Sequence, residues 1–244
     1  MGSPRDRARP PAARGAVRGL VCGSVGGPAA RGGRVRSGSG TRREGRMNAS
    51  STLSVLVTAQ LIAPAASLAA VGMPALAGRP PSERTASRLV MAGFVVAFAA
   101  SIATLAWLAL DGFGSHEVHL GTIFTVGAHE STFDLAADLL SVPFTCFSSG
   151  LLCLVALFAG KYMHRESGFI RFFVLLATFG TGMNLLVLAG SIDVMFAGWE
   201  LVGVSSTLLI GFFHERTNAV DAAMRAFVTY RVCDVGLLAA LVVL

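Results

Sequence analysis

Five runs of about twenty apolar residues limit what this chain can become more than any other feature of its sequence. They lie at Ser54–Leu76, Leu89–Leu110, Leu139–Gly160, Phe169–Gly190 and Val194–Phe213. The hydrocarbon core of a bilayer is about 30 Å thick, and roughly 20 helical residues cross it. A lipid-exposed segment satisfies its backbone N–H and C=O groups internally only as a helix. Each run is therefore predicted to be a transmembrane helix. A sixth begins near Arg225 and is still apolar at Leu244. The expected fold is an all-α integral membrane protein, a bundle of about six transmembrane helices. Composition agrees: 53% of residues are hydrophobic and 14% charged, against about a quarter charged in a soluble domain.

The net charge of +6 does not describe this bundle. Residues 1–46 hold eleven Arg and two acidic residues, a charge of +9 that leaves −3 for the remainder. The basic balance belongs to a tail, so no nucleic-acid partner is expected; the lipid bilayer is. Rich in Arg, Gly, Pro and Ala, that tail has too little apolar surface to offset the entropy of ordering. It is predicted to be disordered. It has no apolar core of a secretory signal, and translation from Met47 is the favoured reading over a transit peptide. The membrane domain is then expected over 47–244, as an N-terminal fragment truncated in its sixth helix.

The loops set an orientation. Arg79, Arg84 and Arg88 lie between the first two spans, and Lys161, Arg165 and Arg171 between the third and fourth. Between the second and third lie Asp111, Glu117, Glu130, Asp134 and Asp138, with no Lys or Arg. Basic loops stay in the cytoplasm, so the acidic loop and the N-terminus are predicted outside. High Ala, Gly and Arg content suggests a GC-rich bacterial genome, hence a multi-pass protein of the bacterial inner membrane. Alternation around Thr122–Val126 suggests a short β-hairpin in the outer loop. His116, Glu117 and His119 there lack the spacing of a helical zinc motif. They read as a solvated loop. The four cysteines, Cys22, Cys146, Cys153 and Cys233, form no metal or disulfide framework.

Most spans carry no ionisable group at their centre, but the last two do. Glu200 lies near the middle of span five, and Arg231 and Asp234 near the middle of span six. Each such residue costs about 2.5–3.5 kcal/mol on insertion scales, and its default meaning is a proton or ion path facing the bundle interior. At 100° per residue, Asp193, Glu200, Thr207 and Gly211 share one side of helix five, with Gly203 flanking. Arg231 and Asp234 are three apart and can pair on one face. Tyr230 flanks them, placed to relay a proton or donate to a carboxylate. Glu200, Asp234 and Arg231 are the candidate proton-translocating residues, with Tyr230, Asp193 and Thr207 as candidate relays. Thr178, Thr181 and Asn184 are expected to hydrogen-bond across helices. Gly180 and Gly182 mark close packing or a kink, and Trp199 is expected to pack against neighbouring helices.

The run GWELVGVSSTLLIGFF from Gly198, followed by AFVTYRVCDVGLL from Ala226, resembles the antiporter-like membrane subunits of NADH–quinone oxidoreductase, of the subunit L or chain 5 type. These are relatives of the Mrp cation/proton antiporters. DLLSVPF from Asp138 and GKYMHRESGFIRFFVLLATFGTGMNLLVLAGSIDVMFAGWE from Gly160 also fit. The resemblance covers roughly residues 130–244; residues 47–129 fit by helix count and loop signs. It implies a larger inverted-repeat fold, Glu200 as the intramembrane glutamate, Asp234 as its electrostatic partner, and a lysine on a following helix. It also implies proton translocation in a complex with other membrane subunits. FMN, iron–sulfur clusters and quinone would belong to partner subunits, since no Gly-rich nucleotide loop or cluster-binding cysteine spacing occurs here. Leu201 and Thr207 depart from many complex I members, as does His214-Glu215-Arg216-Thr217. FFHERTNAVDAAMRAFVTYR resembles equally the membrane subunit of proton-coupled inorganic-carbon (bicarbonate/CO2) uptake complexes. A non-pumping truncated scaffold is a third reading.

Overall fold

In the computed structural model the described residues are 39–112, 114–126 and 129–243. The order is α1 (Ser39–Leu76), α2 (Glu83–Asp111), β1 (His116–Val126), β2 (His129–Ala137), α3 (Ser141–Tyr162), α4 (Phe169–Val187), α5 (Ile192–Ile210) and α6 (Thr217–Val243). Five helices are long and apolar enough to cross a membrane, with α1 counted from Ser51 to Leu76. The sixth, α6, carries Asp221, Arg225, Arg231 and Asp234 and begins eight residues before the predicted start. The expected tail falls mainly on residues 1–38, outside the described residues, as does Cys22; from Ser39 the chain is helical.

Helix ends follow local chemistry. Ser82 caps α2 by accepting from the Thr85 N–H at 3.3 Å. Gly112 ends it in the left-handed region at φ 83°. Asp138 opens α3, its Oδ1 accepting the Leu140 and Ser141 N–H groups at 2.9 and 2.6 Å. Those backbone donors hold the Asp138 carboxyl below the usual range, against some desolvation.

The acidic loop between α2 and α3 is more ordered than the sequence suggests. The hairpin runs from His116 to Ala137 as two antiparallel strands, with register shifts between His119 and Gly121 and between Thr122 and Phe124. His116 and His119 lie on strand β1, where His119 stays exposed and His116 partly so, in keeping with the solvated reading. His116 Nε2 lies 2.9 Å from Asp111 Oδ2, and His119 Nδ1 lies 2.6 Å from Asp134 Oδ1. Period-two alternation is weak here, which is why only the Thr122–Val126 part was legible.

Apolar packing forms two clusters. At the hairpin end Leu53, Val57, Leu108, Leu135, Ala137, Val142 and Leu188 are buried together. At the opposite end, near the basic loops, the cluster gathers α2, α3 and α4 around Phe94 and Phe173. Between them runs a polar bridge. Gln60 Nε2 donates to Thr104 Oγ1 at 2.8 Å, and Asn184 Nδ2 to the Gln60 carbonyl at 2.7 Å. Asn184 thus bonds across helices as predicted. Thr178 and Thr181 do not: each hydroxyl donates to the carbonyl one turn back in its own helix, that of Val174 or Ala177. A hydroxyl on a short side chain reaches its own i−4 carbonyl more easily than a neighbouring helix.

Candidate functional site

The position of α5 follows from glycines that let backbones touch. A Cβ on Gly198 would lie 2.5 Å from the Leu186 nitrogen and 2.7 Å from its Cα. One on Gly182 would meet Leu201 Cβ at 2.7 Å. Both glycines therefore serve close packing of α4 on α5. The N-terminal end of α5 is tied to strand β2. Gly190 N–H donates to the Asp134 carbonyl at 2.8 Å, and Ala136 N–H to the Leu188 carbonyl at 2.8 Å. Ser191 Oγ donates to the Thr132 carbonyl at 2.9 Å, and Ser131 Oγ to Asp193 Oδ2 at 2.6 Å.

Held this way, α5 presents Glu200 to α6. Arg231 donates to Glu200 through both terminal nitrogens, at 3.1 Å to Oε1 and 2.8 Å to Oε2. This is the two-pronged arrangement a planar guanidinium favours. The terminal nitrogen that donates to Glu200 Oε1 also lies 3.1 Å from Asp234 Oδ2, an ion contact that lacks hydrogen-bond alignment. Phe227 and Tyr230 flank the guanidinium, with ring centroids 5.2 and 5.6 Å from its carbon. Asp234 is 4% exposed, while the Glu200 and Arg231 side chains keep 27% and 37% of their surface.

The structure therefore brings Glu200, Arg231 and Asp234 together, with the arginine between the carboxylates. The resemblance implied Asp234 as the electrostatic partner of Glu200 with Arg231 beside it, and the structure puts the arginine between the two. Tyr230 adjoins the cluster, but its hydroxyl donates to the Trp199 backbone carbonyl rather than to a carboxylate. Asp193 stands apart. Seven residues of helix separate it from Glu200, about 10 Å of rise, and it serves the tie to β2. Thr207 donates within its own helix, to the Gly203 carbonyl at 2.8 Å. It also lines a groove of about 370 Å³ between α5 and α6 with Gly211, Ala223, Met224 and Phe227. The predicted stripe thus faces α6 along its lower half.

Sequence reasoning missed Trp199. Its indole Nε1 donates to Asp234 Oδ1 at 2.8 Å, and its ring stacks on Tyr230 with centroids 5.5 Å apart and planes 17° off parallel. The available signal was its place beside Glu200; an indole N–H inside a membrane needs an acceptor. Among the described residues no group of three or more His, Cys, Asp or Glu side chains could hold a metal ion. Cys146, Cys153 and Cys233 are unpaired thiols.

Comparison with known proteins finds similarity over the segment that carries the cluster. Residues 189–244 match the family described as NADH:quinone oxidoreductase/Mrp antiporter, TM. Residues 124–173 match that of NADH-Ubiquinone oxidoreductase (complex I), chain 5 N-terminus. NADH-quinone oxidoreductase subunit L of Escherichia coli is 39% identical over 134 residues, 55% of this chain and 22% of that protein. NAD(P)H-quinone oxidoreductase chain 5 of Picosynechococcus is 36% identical over 136 residues, 55% of this chain and 20% of its own length. The chloroplastic subunit 5 of Nephroselmis olivacea is 46% identical over 85 residues, 35% of this chain and 13% of that protein. The chain spans about a fifth or less of the length of these relatives. Over these two segments the chain is similar to the antiporter-like membrane subunits of the NADH:quinone oxidoreductase/Mrp antiporter family.

Proposed function

We propose that this chain is part of a proton-translocating membrane subunit of a respiratory NADH–quinone oxidoreductase, and that Glu200, Arg231 and Asp234 move the proton. The observation that carries this reading is Arg231 gripping Glu200 from the neighbouring helix while touching buried Asp234. Two carboxylates around one cation form a pair of alternative partners. When the guanidinium pairs with one, the other loses its counter-charge. Shifting the arginine between them loads and releases protons in turn.

The relatives compared above are named as quinone oxidoreductase subunits, which favours this reading over inorganic-carbon uptake and over a passive scaffold. The partners are other membrane subunits of the complex. FMN, iron–sulfur clusters and quinone belong to those partners, and supply the redox chemistry there. The chain lies in a bacterial inner membrane with its N-terminus and hairpin outside, because Arg79, Arg84, Lys161 and Arg165 occupy the opposite loops.

The test is Glu200→Gln in the chromosomal gene, with assembly of the complex checked on native gels. NADH-driven proton uptake into inverted membrane vesicles is expected to fall by tenfold or more, on the order of one lost charge interaction in a low-dielectric site. Full proton uptake in an assembled E200Q complex overturns the reading.

A further inference from the structure

We propose that Trp199 is a positioning residue for this cluster: its indole N–H holds Asp234 and so leaves the Arg231 guanidinium to Glu200. The inference rests on the proton-translocation reading and adds a residue to it.

Asp234 is buried, and a buried carboxylate needs donors. Its Oδ1 accepts from Trp199 Nε1 at 2.8 Å. Its Oδ2 has only the unaligned contact with Arg231 at 3.1 Å. The indole therefore supplies the one aligned hydrogen bond to Asp234 among the described residues. Hydrogen bonds to ionised groups are the strong ones. Because this bond is made, Arg231 is free to direct both terminal nitrogens at Glu200.

The direction of the indole is itself fixed. Its ring stacks on Tyr230. The Tyr230 hydroxyl in turn bonds the Trp199 backbone carbonyl, so residue 199 is gripped at both ring and main chain. Tyr230 fits there because position 203 is glycine: a Cβ on Gly203 would overlap the Tyr230 ring. An indole N–H donates only and accepts nothing. Trp199 thus relays no proton and acts through Asp234. Remove the N–H, and the nearest donor left to Asp234 is Arg231 NH1. The guanidinium then turns from Glu200 toward Asp234, and the balance between the two carboxylates changes.

The test replaces Trp199 in the intact complex with 3-benzothienylalanine, which keeps the bicyclic shape and lacks the N–H. Trp199→Phe serves as a genetically simple second variant. The isostere is expected to lower proton uptake by about tenfold and to shift its pH profile. In a D234N background it is expected to cause no further loss. A wild-type rate and pH profile in the assembled isostere complex overturns the proposal, as do losses that multiply in the double variant. An ultraviolet resonance Raman difference spectrum, native minus isostere, reads the indole hydrogen bond without any proton assay. A Trp199 band typical of a hydrogen-bonded N–H that weakens in D234A supports the proposal; a band unchanged by D234A overturns it. E200Q at full proton uptake would instead sink the translocation reading, leaving the Raman result to decide the Trp199–Asp234 bond by itself.

Discussion

Arg231 serves its two carboxylates unequally. Glu200 takes both terminal nitrogens, Asp234 is left with an unaligned contact, and the Arg231 Nε is buried without a partner. Lysine at this position would keep the charge but could not reproduce the fork. R231K is therefore expected to assemble and to translocate protons at an intermediate rate, roughly tenfold down, if one strong charge-assisted bond is lost. R231M, which leaves two carboxylates uncompensated, is expected to fall further and to assemble less. Proton uptake per NADH oxidised, with complex abundance on native gels, checks the order. At this scale the sequence was informative about which residues bear charge. It was uninformative about Trp199, because a side chain that is usually apolar packing gives no sign of where its single N–H points.

Helix α5 is located by contacts along its length rather than by its own propensity. Gly182 and Gly198 bring α4 and α5 to backbone contact. G198V is expected to push the helices apart and cost about 1–3 kcal/mol, the usual range for overpacking. A lowered melting temperature of the solubilised complex would show it. At the N-terminal end of α5 the hairpin clip adds a pH dependence. The Asp134 hydrogen bond and charge hold the His119 pKa above its ordinary 6.5. Hydrogen bonds from Thr132 and His119 hold Asp134 below the usual carboxylate range. The His119 contribution is complete below pH 6.5 and lost as pH rises through its elevated value. The Asp134 contribution is present above the ordinary carboxylate value and lost as pH falls through its depressed one. Hydrogen-exchange protection of the Gly190 and Ala136 amides is thus expected to be greatest between those limits. In H119A the alkaline loss should disappear while the acid loss remains. The hairpin was legible as an alternating segment, but its tie to α5 was not: the bonds run between segments more than fifty residues apart.

Across the molecule, charge is sorted by end. The hairpin end carries Asp111, Glu117, Asp134 and Asp193, and the opposite loops carry Arg79, Arg84, Lys161 and Arg165. In intact cells, Glu117→Cys is expected to react with a membrane-impermeant maleimide and Arg165→Cys only after permeabilisation. The reverse labelling pattern would invert the proposed topology. What the sequence determined is what one-dimensional pattern can encode. Span length follows from bilayer thickness, and the candidate carboxylates from the cost of a charge at mid-span. Only the tertiary structure decided who pairs with whom. Glu200 and Asp234 lie on different helices, and their relation depends on the rotation of α5 and α6 about their axes. The contacts that set that rotation, Gly182 on Gly198, Tyr230 on Gly203 and Ser131 on Asp193, join residues up to sixty-two positions apart, and no local periodicity records them.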